Sequence, residues 1–384
     1  MIAYNNTLLE NTFLVEEAID LKKSGFLQES NLYTIRQKLE TLKTNRNILV
    51  RIGFFLLGSF LFSSILGFFS MLIALESSTN YHIVGFVYFV IGIIILEVIC
   101  RQNYFRHGLD DAFIIGSQLT FYISIYFLTY STIALYFSMI IIGFVFALRY
   151  VNTISFLVSL IGVVVLTGDY LINHTYISSA LPFVLLLIAF GFYFLHNKIK
   201  DLKPLYFYQN VMEWFFIFSF LLGYASINYF VVRTLSEDLL HADYTKSDVP
   251  FGWIFNILMF LLPIGYVFYA LQTKNRTMLY IGGLTLTLSI ATFRYYHSIM
   301  PAELALILAG FLMFVAVYFV IQKIKTKASG ITFLPDRTSN PALLSTMEAL
   351  IINSQDMNHA APTQQSDMPF GGGGFSGGGA SEGY

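Results

Sequence analysis

Between residues 49 and 322 the chain is a string of apolar runs, each separated from the next by a short polar break. An α-helix rises 1.5 Å per residue, so about 20 mainly apolar residues cross the ~30 Å hydrocarbon layer of a bilayer. The runs fall at 49–75, 82–100, 112–129, 132–148, 151–167, 179–195, 207–232, 251–271, 277–293 and 302–322, which makes ten candidate spans. The breaks are thinnest around the third to fifth spans, where Tyr130–Ser131 and Arg149–Asn152 are the only interruptions. Both parities of each run are apolar, which favours helices over a barrel whose strands would alternate. Composition agrees, with 56% of residues hydrophobic and 12% charged, against about a quarter charged in a soluble domain. This balance excludes a water-soluble enzyme, a disordered regulator and a nucleic-acid binder. The net charge of −1 calls for no polyionic partner. The single cysteine, Cys100, excludes an internal disulfide or a cysteine metal cage. Residues 1–48 are polar and charged, without the basic start and apolar core of a secretory signal.

Basic residues set the orientation, because cytoplasmic loops are enriched in Lys and Arg. With the N-terminus inside and ten spans, 19 of the 22 basic residues fall on the cytoplasmic side. Only Arg233, Lys246 and Arg294 fall outside. A missed span would reverse the sign of every later loop, so the count supports ten spans with both ends cytoplasmic. Trp214, Trp253, Tyr81, Tyr150, Tyr206, Tyr208 and Tyr229 lie near span ends, where amphipathic rings favour the headgroup zone. The expected fold is therefore all-α, a polytopic transmembrane helix bundle with a small head and a tail.

The head, 1–48, reads as a helical hairpin. Its first helix covers Thr7–Ser24, ending at Gly25 as a C-terminal cap. Its second runs from Ser30, as N-cap, to Asn45, with Leu32, Ile35, Leu39 and Leu42 forming a narrow apolar stripe. The bundle occupies 49–322. In the tail, 323–384, Lys323, Lys325 and Lys327 end the last span. A short amphipathic helix is expected from Pro341, with Leu343, Leu344, Met347, Leu350 and Ile351 on one side. Eight of the fourteen residues 371–384 are glycine, so the end of the tail is expected to be disordered.

Phosphate-loop, zinc-protease, nucleophile-elbow and paired-cysteine motifs are absent. The seven histidines lack ligand spacing, so neither a metal nor another cofactor is expected, and no catalytic residue is assigned. Ionisable groups at membrane depth are functional candidates because lipid penalises charge. They are Glu97, four residues before Arg101 and on the same helix face, Asp169 with His174 close behind, and Glu213 in the first turns of the seventh span. Asp110 and Asp111 precede the third span, where carboxylates suit a helix N-terminus. The densest cluster joins the last two spans, Arg294-Tyr-Tyr-His297-Ser-Ile-Met-Pro-Ala-Glu303. Arg294 and Glu303 could pair across a tight turn with His297 between them, either as a clamp or as a pocket for an anionic or zwitterionic group. Pro263 falls inside span eight, where an interior proline frees a carbonyl and bends the helix. Broken helices mark substrate sites in many transporters.

The Arg294–Glu303 hairpin is followed by Leu304-Ala305-Leu306-Ile307-Leu308-Ala309-Gly310, and a Gly25-Phe26-Leu27 turn lies in the polar head before the first span. In these features the chain resembles a family of bacterial multi-pass membrane proteins of unknown function. The resemblance implies a helical head, about ten spans and residence in the bacterial cytoplasmic (inner) membrane. It implies no activity. The family's aromatic-Asp after Arg-Tyr is here Tyr296-His297, so no carboxylate role carries over.

Two functional classes fit these features. One is transport or handling of a small molecule or lipid, with Arg294, His297, Glu303 and Pro263 as the binding set. The other is a membrane scaffold or sensor that recruits a protein partner through the cytoplasmic head and tail. An intramembrane transferase or hydrolase would need facing pairs such as Asp169 with His174 or Glu303 with His297. The partners expected are the lipid bilayer, a small molecule or lipid, and a protein at the head, with no nucleic acid.

Overall fold

The computed structural model describes residues 2–74, 81–173, 180–200, 207–240 and 249–296, with isolated positions between 304 and 325. Among the described residues there are twelve helices and no strand, only an isolated bridge between Lys43 and Tyr104. Two short helices open the chain, α1 (Asn6–Lys23) and α2 (Glu29–Lys38). Then follow α3 (Ile48–Ala74), α4 (Tyr81–Arg101), α5 (Leu109–Thr129), α6 (Thr132–Tyr150), α7 (Thr153–Ile172), α8 (Leu181–Ile199), α9 (Gln209–Ile227), α10 (Tyr229–Leu240), α11 (Gly252–Thr273) and α12 (Arg276–Tyr296). Eight of these, α3 to α9 and α11, are long and apolar enough to cross a membrane, a multi-pass architecture. The tenth expected span, the amphipathic segment after Pro341 and the Gly-rich tail fall mostly or wholly outside the described residues.

The chain forms two compact units. Leu14–Leu39 belongs to one, while residues 2–13 and those from Glu40 through α12 belong to the other. The expected head, 1–48, is thus shared between them. Within the smaller unit, α1 ends as expected at Gly25, whose φ is +81°. Gly25 N donates to the Lys22 carbonyl and Phe26 N to the Leu21 carbonyl, both at 3.0 Å, the paired bonds of a Schellman cap. The second helix differs from expectation. It starts after Gln28 rather than at Ser30 and stops at Lys38, not Asn45. The lost turns are extended instead: Lys43 N donates to the Asn103 carbonyl at 2.7 Å, and Phe105 N donates back to Lys43 at 3.2 Å. Tertiary pairing outweighs a helical period that Leu39 and Leu42 carry in sequence.

In the larger unit the thin breaks hold as turns. Tyr130 takes a left-handed conformation (φ +49°), and Ser131 then caps α6 by accepting from Ala134 N. Val151 does the same (φ +50°) before Asn152, which accepts from Ser155 N at 2.9 Å and caps α7. Lys274 (φ +55°) and Asn275 repeat the device ahead of α12, with Met278 N donating to Asn275 Oδ1 at 3.1 Å. One residue reverses the chain and the next satisfies an orphan N–H of the new helix, so two residues suffice. Span seven, expected over 207–232, is instead divided at Asn228, whose Oδ1 accepts from Phe230 N and Val231 N and so starts α10 as a separate helix.

Helices pair as hairpins, α4 with α5, α6 with α7, α8 with α9 and α11 with α12, while α3 lies on α5 and α9 touches α7, α11 and α12. Small residues set the closest approaches, as expected where lipid gives no hydrophobic drive between helices. Gly85 and Gly92 on α4 face Ser124 and Ser117 on α5, and Gly143 on α6 faces α7 so closely that a Cβ would lie 2.8 Å from the Ser155 carbonyl oxygen, leaving no room for one. Gly282 on α12 meets Val267 of α11 in the same way.

Candidate functional site

Pro263 lies inside the 22-residue α11. Lacking an N–H, it leaves the carbonyl four residues earlier, that of Met259, without its helical partner. Met259 is fully buried, about 10 Å along α11 from its first residue, so the freed oxygen has no water to turn to. Ser289 of α12 supplies the missing bond: its Oγ donates to the Met259 carbonyl at 2.5 Å and stands 2.9 Å from the Thr285 carbonyl. A second hydroxyl, that of Tyr224 on α9, lies 3.0 Å from Ser289 Oγ. Asn228, at the end of α9, donates from Nδ2 to Tyr224 Oη at 2.7 Å and to Thr292 Oγ1 at 3.2 Å. The sequence thus places hydroxyls at Ser289 and Thr292 three residues apart on one face of α12. Three helices meet there over a buried ladder of uncharged hydrogen-bonding groups.

One acceptor in this region is unused. Asn256 Oδ1 is buried and has no hydrogen-bond partner among the described residues. Ser289 bonds to Met259, and Phe293 packs on Phe260 with ring centroids 5.8 Å apart, so the antiparallel register sets Asn256 level with Thr292–Tyr296. Beyond the ladder, α10 brings Arg233 over the Tyr296 ring at 4.9 Å. Arg233 Nε donates to Glu237 Oε1 at 2.8 Å, one turn on, and that bond holds the guanidinium more firmly protonated. Tyr229, Phe230, Tyr295 and Tyr296 stack on one another edge-on or tilted at 5.0–6.3 Å, and Tyr295 is 73% exposed. A cation over one aromatic face, above a desolvated amide and hydroxyl ladder, can receive a polar or anionic group while an apolar body stays in the bilayer.

Of the expected binding residues, Pro263 belongs to this cluster and Arg294 is half-buried in the last turn of α12 beside it in sequence. His297 and Glu303 lie outside the described residues, as does His174. Arg233 and Asn228 carry much of the arrangement and were not singled out from sequence. An arginine among only three outside basic residues was the available signal.

A second buried polar set occupies the N-terminal end of α5. Asp110 accepts from the backbone N–H groups of Arg106, His107 and Gly108 at 2.7, 2.9 and 3.0 Å, fixing the turn before the helix. Asp111 Oδ2 accepts from Arg51 Nε and Nη2 at 2.8 and 2.6 Å, and its Oδ1 accepts from Asn152 at 3.0 Å. Asn152 Oδ1 accepts from Ser155 Oγ at 3.1 Å, Gln118 Nε2 donates to Ser155 Oγ at 2.5 Å, and Tyr122 Oη donates to Gln118 at 3.1 Å. This file runs eleven residues along α5, about 16 Å. Its members satisfy one another, so its chemistry is that of an interhelical clamp.

The remaining intramembrane candidates are separated. Glu97 does not take its hydrogen bonds from Arg101, as its spacing suggests, but from Arg149 Nε at 2.7 Å and Tyr150 Oη at 2.8 Å. The partner helix offers a planar guanidinium and a phenol together, while Arg101 is exposed. Glu213 accepts from Thr277 Oγ1 at 3.0 Å, tying the start of α9 to that of α12. Asp169 is half-buried in the last turns of α7. Among the described residues no three His, Cys, Asp or Glu side chains gather to hold a metal. Comparison with protein-family models, curated proteins and solved structures returns no match.

Proposed function

We propose that this chain handles a small molecule or lipid at the end of the bundle where α9, α10, α11 and α12 meet, which faces outward in a ten-span, N-in/C-in topology. The observation that carries the reading is the proline break. It frees a carbonyl in the membrane-spanning part of α11, and that carbonyl sits on a buried ladder leading up to Arg233 and four aromatic rings. The topology counts α12 as a ninth span. It returns along the 22-residue α11 from a two-residue turn and is 21 residues long, so it has the reach of its partner. Residues 302–322 are then the tenth. The 19-to-3 division of basic residues supports both ends being cytoplasmic. Placement in the bacterial inner membrane follows the resemblance to the multi-pass family.

A scaffold or sensor role through the head is the second reading, supported by Phe26 and Tyr33, large aromatics 49% and 64% exposed in the smaller unit. Native mass spectrometry of gently extracted protein separates the two. A bound metabolite or lipid lost in Arg233→Gln/Asn256→Leu, and kept when residues 14–39 are deleted, is the expected result. A protein that co-purifies and is lost only with that deletion would replace the handling reading by the scaffold one.

A further inference from the structure

Asn256 stands one turn into α11, about 6 Å along the axis from Gly252 and so close to the edge of the hydrocarbon layer. Met259 and Phe260, the next turn on, belong to an apolar cluster with Tyr229 and Val232 of α10 and with Phe293 and Tyr296 of α12. The amide therefore lies beneath α10, at the border of the buried face of α11. Trp253 and Ile257, on its other side, are exposed on the outer surface of the helix. At this border the amide oxygen is buried without a hydrogen-bond partner among the described residues. A buried acceptor with no donor costs folding free energy, and a ligand that brings an N–H or O–H recovers it.

The cation nearby is already provided with an anion. Arg233 Nε donates to Glu237 Oε1 at 2.8 Å, and Nη1 donates to Tyr229 Oη at 3.4 Å. The side chain of Arg233 is 21% exposed and that of Glu237 40%, so the carboxylate is the half of the pair on the open side. An anion arriving from outside can take its place on the guanidinium, and the released Glu237 is rehydrated at little cost. The guanidinium itself stays, held over the Tyr296 ring at 4.9 Å.

We infer that the ligand of this site is a phospholipid-like amphiphile whose head carries an anion for Arg233 and, close to it, an N–H or O–H donor for Asn256 Oδ1, with Glu237 as the resident carboxylate that the anion displaces. The inference rests on the handling reading and narrows it to a substrate class. An anion alone satisfies Arg233 and leaves the amide oxygen unmatched; a donor beside the anion satisfies both. The position of Asn256 near the edge of the hydrocarbon layer, bordered by exposed Trp253 and Ile257, sets the head at headgroup level and leaves an acyl chain in the bilayer.

The test presents full-length protein in mild detergent with lysophosphatidylethanolamine and lysophosphatidylcholine of one chain length, and reads Kd by native mass spectrometry. Both heads carry a phosphate and a cation, but only the ethanolamine has N–H donors. Wild type is expected to bind the ethanolamine head about ten-fold more tightly, the worth of one charge-assisted hydrogen bond. Asn256→Leu is expected to bring the two heads within about two-fold of each other without lowering Tm, since the acceptor it removes has no donor. Asn256→Asp keeps an acceptor and should retain the preference. Arg233→Gln should weaken both heads about ten-fold or more, and Glu237→Gln should strengthen both about three-fold. Glycerophosphoethanolamine, the same head without a chain, should bind at least about ten-fold less tightly. Arg233-dependent binding with equal affinity for the two heads, or a preference that survives Asn256→Leu, overturns the donor and leaves the handling reading standing. Affinity unchanged or reduced in Glu237→Gln removes the displaced carboxylate, and equal binding of the chainless head overturns the lipid class. Binding of neither head, or binding indifferent to Arg233→Gln, is the failure of the handling reading itself.

Discussion

At the scale of single residues, the chain settles charge by pairing it across helices, and sequence spacing shows that only in part. Asp110 and Asp111 stand out in the sequence as carboxylates at a helix start, and both do serve there. What cannot be read locally is that Asp111 reaches Arg51, sixty residues away, and that Asn152 completes it. Glu97 illustrates the same limit: its i,i+4 arginine was visible, yet a better partner stood on another helix. Because Asp111 is buried while Arg51 is about one-third exposed, losing either partner costs unequally. Arg51→Met leaves a buried carboxylate unpaired and is expected to cost about 2–3 kcal/mol, whereas Asp111→Asn keeps an acceptor for Asn152 and should cost about half as much. Equal Tm losses for the two variants would contradict this ordering. His107, in the loop before α5, gives a pH test. It packs on Phe54 and Tyr104 at 4.2 and 4.9 Å, with Nδ1 buried and without a hydrogen-bond partner among the described residues. Burial, and then the Lys43 charge, lower its affinity for a proton. The folded protein therefore binds a proton less readily than the unfolded chain, whose histidine titrates near ~6.5. The resulting stability is fully present above that pH and declines as pH falls toward the lowered folded value. Thermal denaturation at pH 7.5 and 5.5 should show a larger acid loss for wild type than for His107→Gln. Parallel losses would show that His107 is not the group responsible.

At the scale of elements, helix existence was legible because long apolar runs admit little else in a bilayer, and even the thin breaks at Tyr130–Ser131 and Arg149–Asn152 proved to hold complete turns, the second at Val151–Asn152. Their legibility came from Ser131 and Asn152, residues that cap. The left-handed residues before them, tyrosine and valine, carry no such signal. Two boundaries misled for opposite reasons. Asn228 ends α9 because its side chain caps α10, a polar residue hidden in an apolar run. The second head helix ends early because 40–47 pairs with a loop that only the fold brings near. Pro263 was legible as a break, but its repair by Ser289 was not, since that residue is 26 positions on and on another helix. The repair makes a sharp prediction. Ser289→Ala should strand the Met259 carbonyl and cost about 1–3 kcal/mol in the wild-type background. With Pro263→Ala, the restored N–H can bond that carbonyl within α11, so the same serine change should cost distinctly less. A double-mutant cycle with coupling near zero would mean that the proline and the serine act independently.

At the scale of the whole molecule, the sequence and the structure constrain different things. Hydropathy and basic-residue bias speak to how many times the chain crosses and in which sense, while contacts among helices speak to which groups meet once it has crossed. The two bear on each other at α12. Its 21 residues are less apolar than the eight candidate spans because they carry Arg276 and Arg294 near the ends and, between them, the inward-facing Thr285, Ser289 and Thr292. A helix that carries polar groups for a neighbour loses mean hydropathy without losing its place in the bilayer, and α12 has the length and hairpin geometry to cross. If it does, Lys274 at its start and Tyr295 at its end lie on opposite sides of the membrane. In a Cys100→Ser background, Lys274→Cys and Tyr295→Cys can be labelled with an impermeant maleimide in sealed vesicles of defined orientation. Lys274→Cys should react from the same face as Tyr33→Cys in the head, and Tyr295→Cys only from the other. Should all three react from one face, α12 turns back without crossing. Tyr295 and Tyr296 would then lie across the membrane from Arg233, and the outward-facing aromatic site would have to be abandoned.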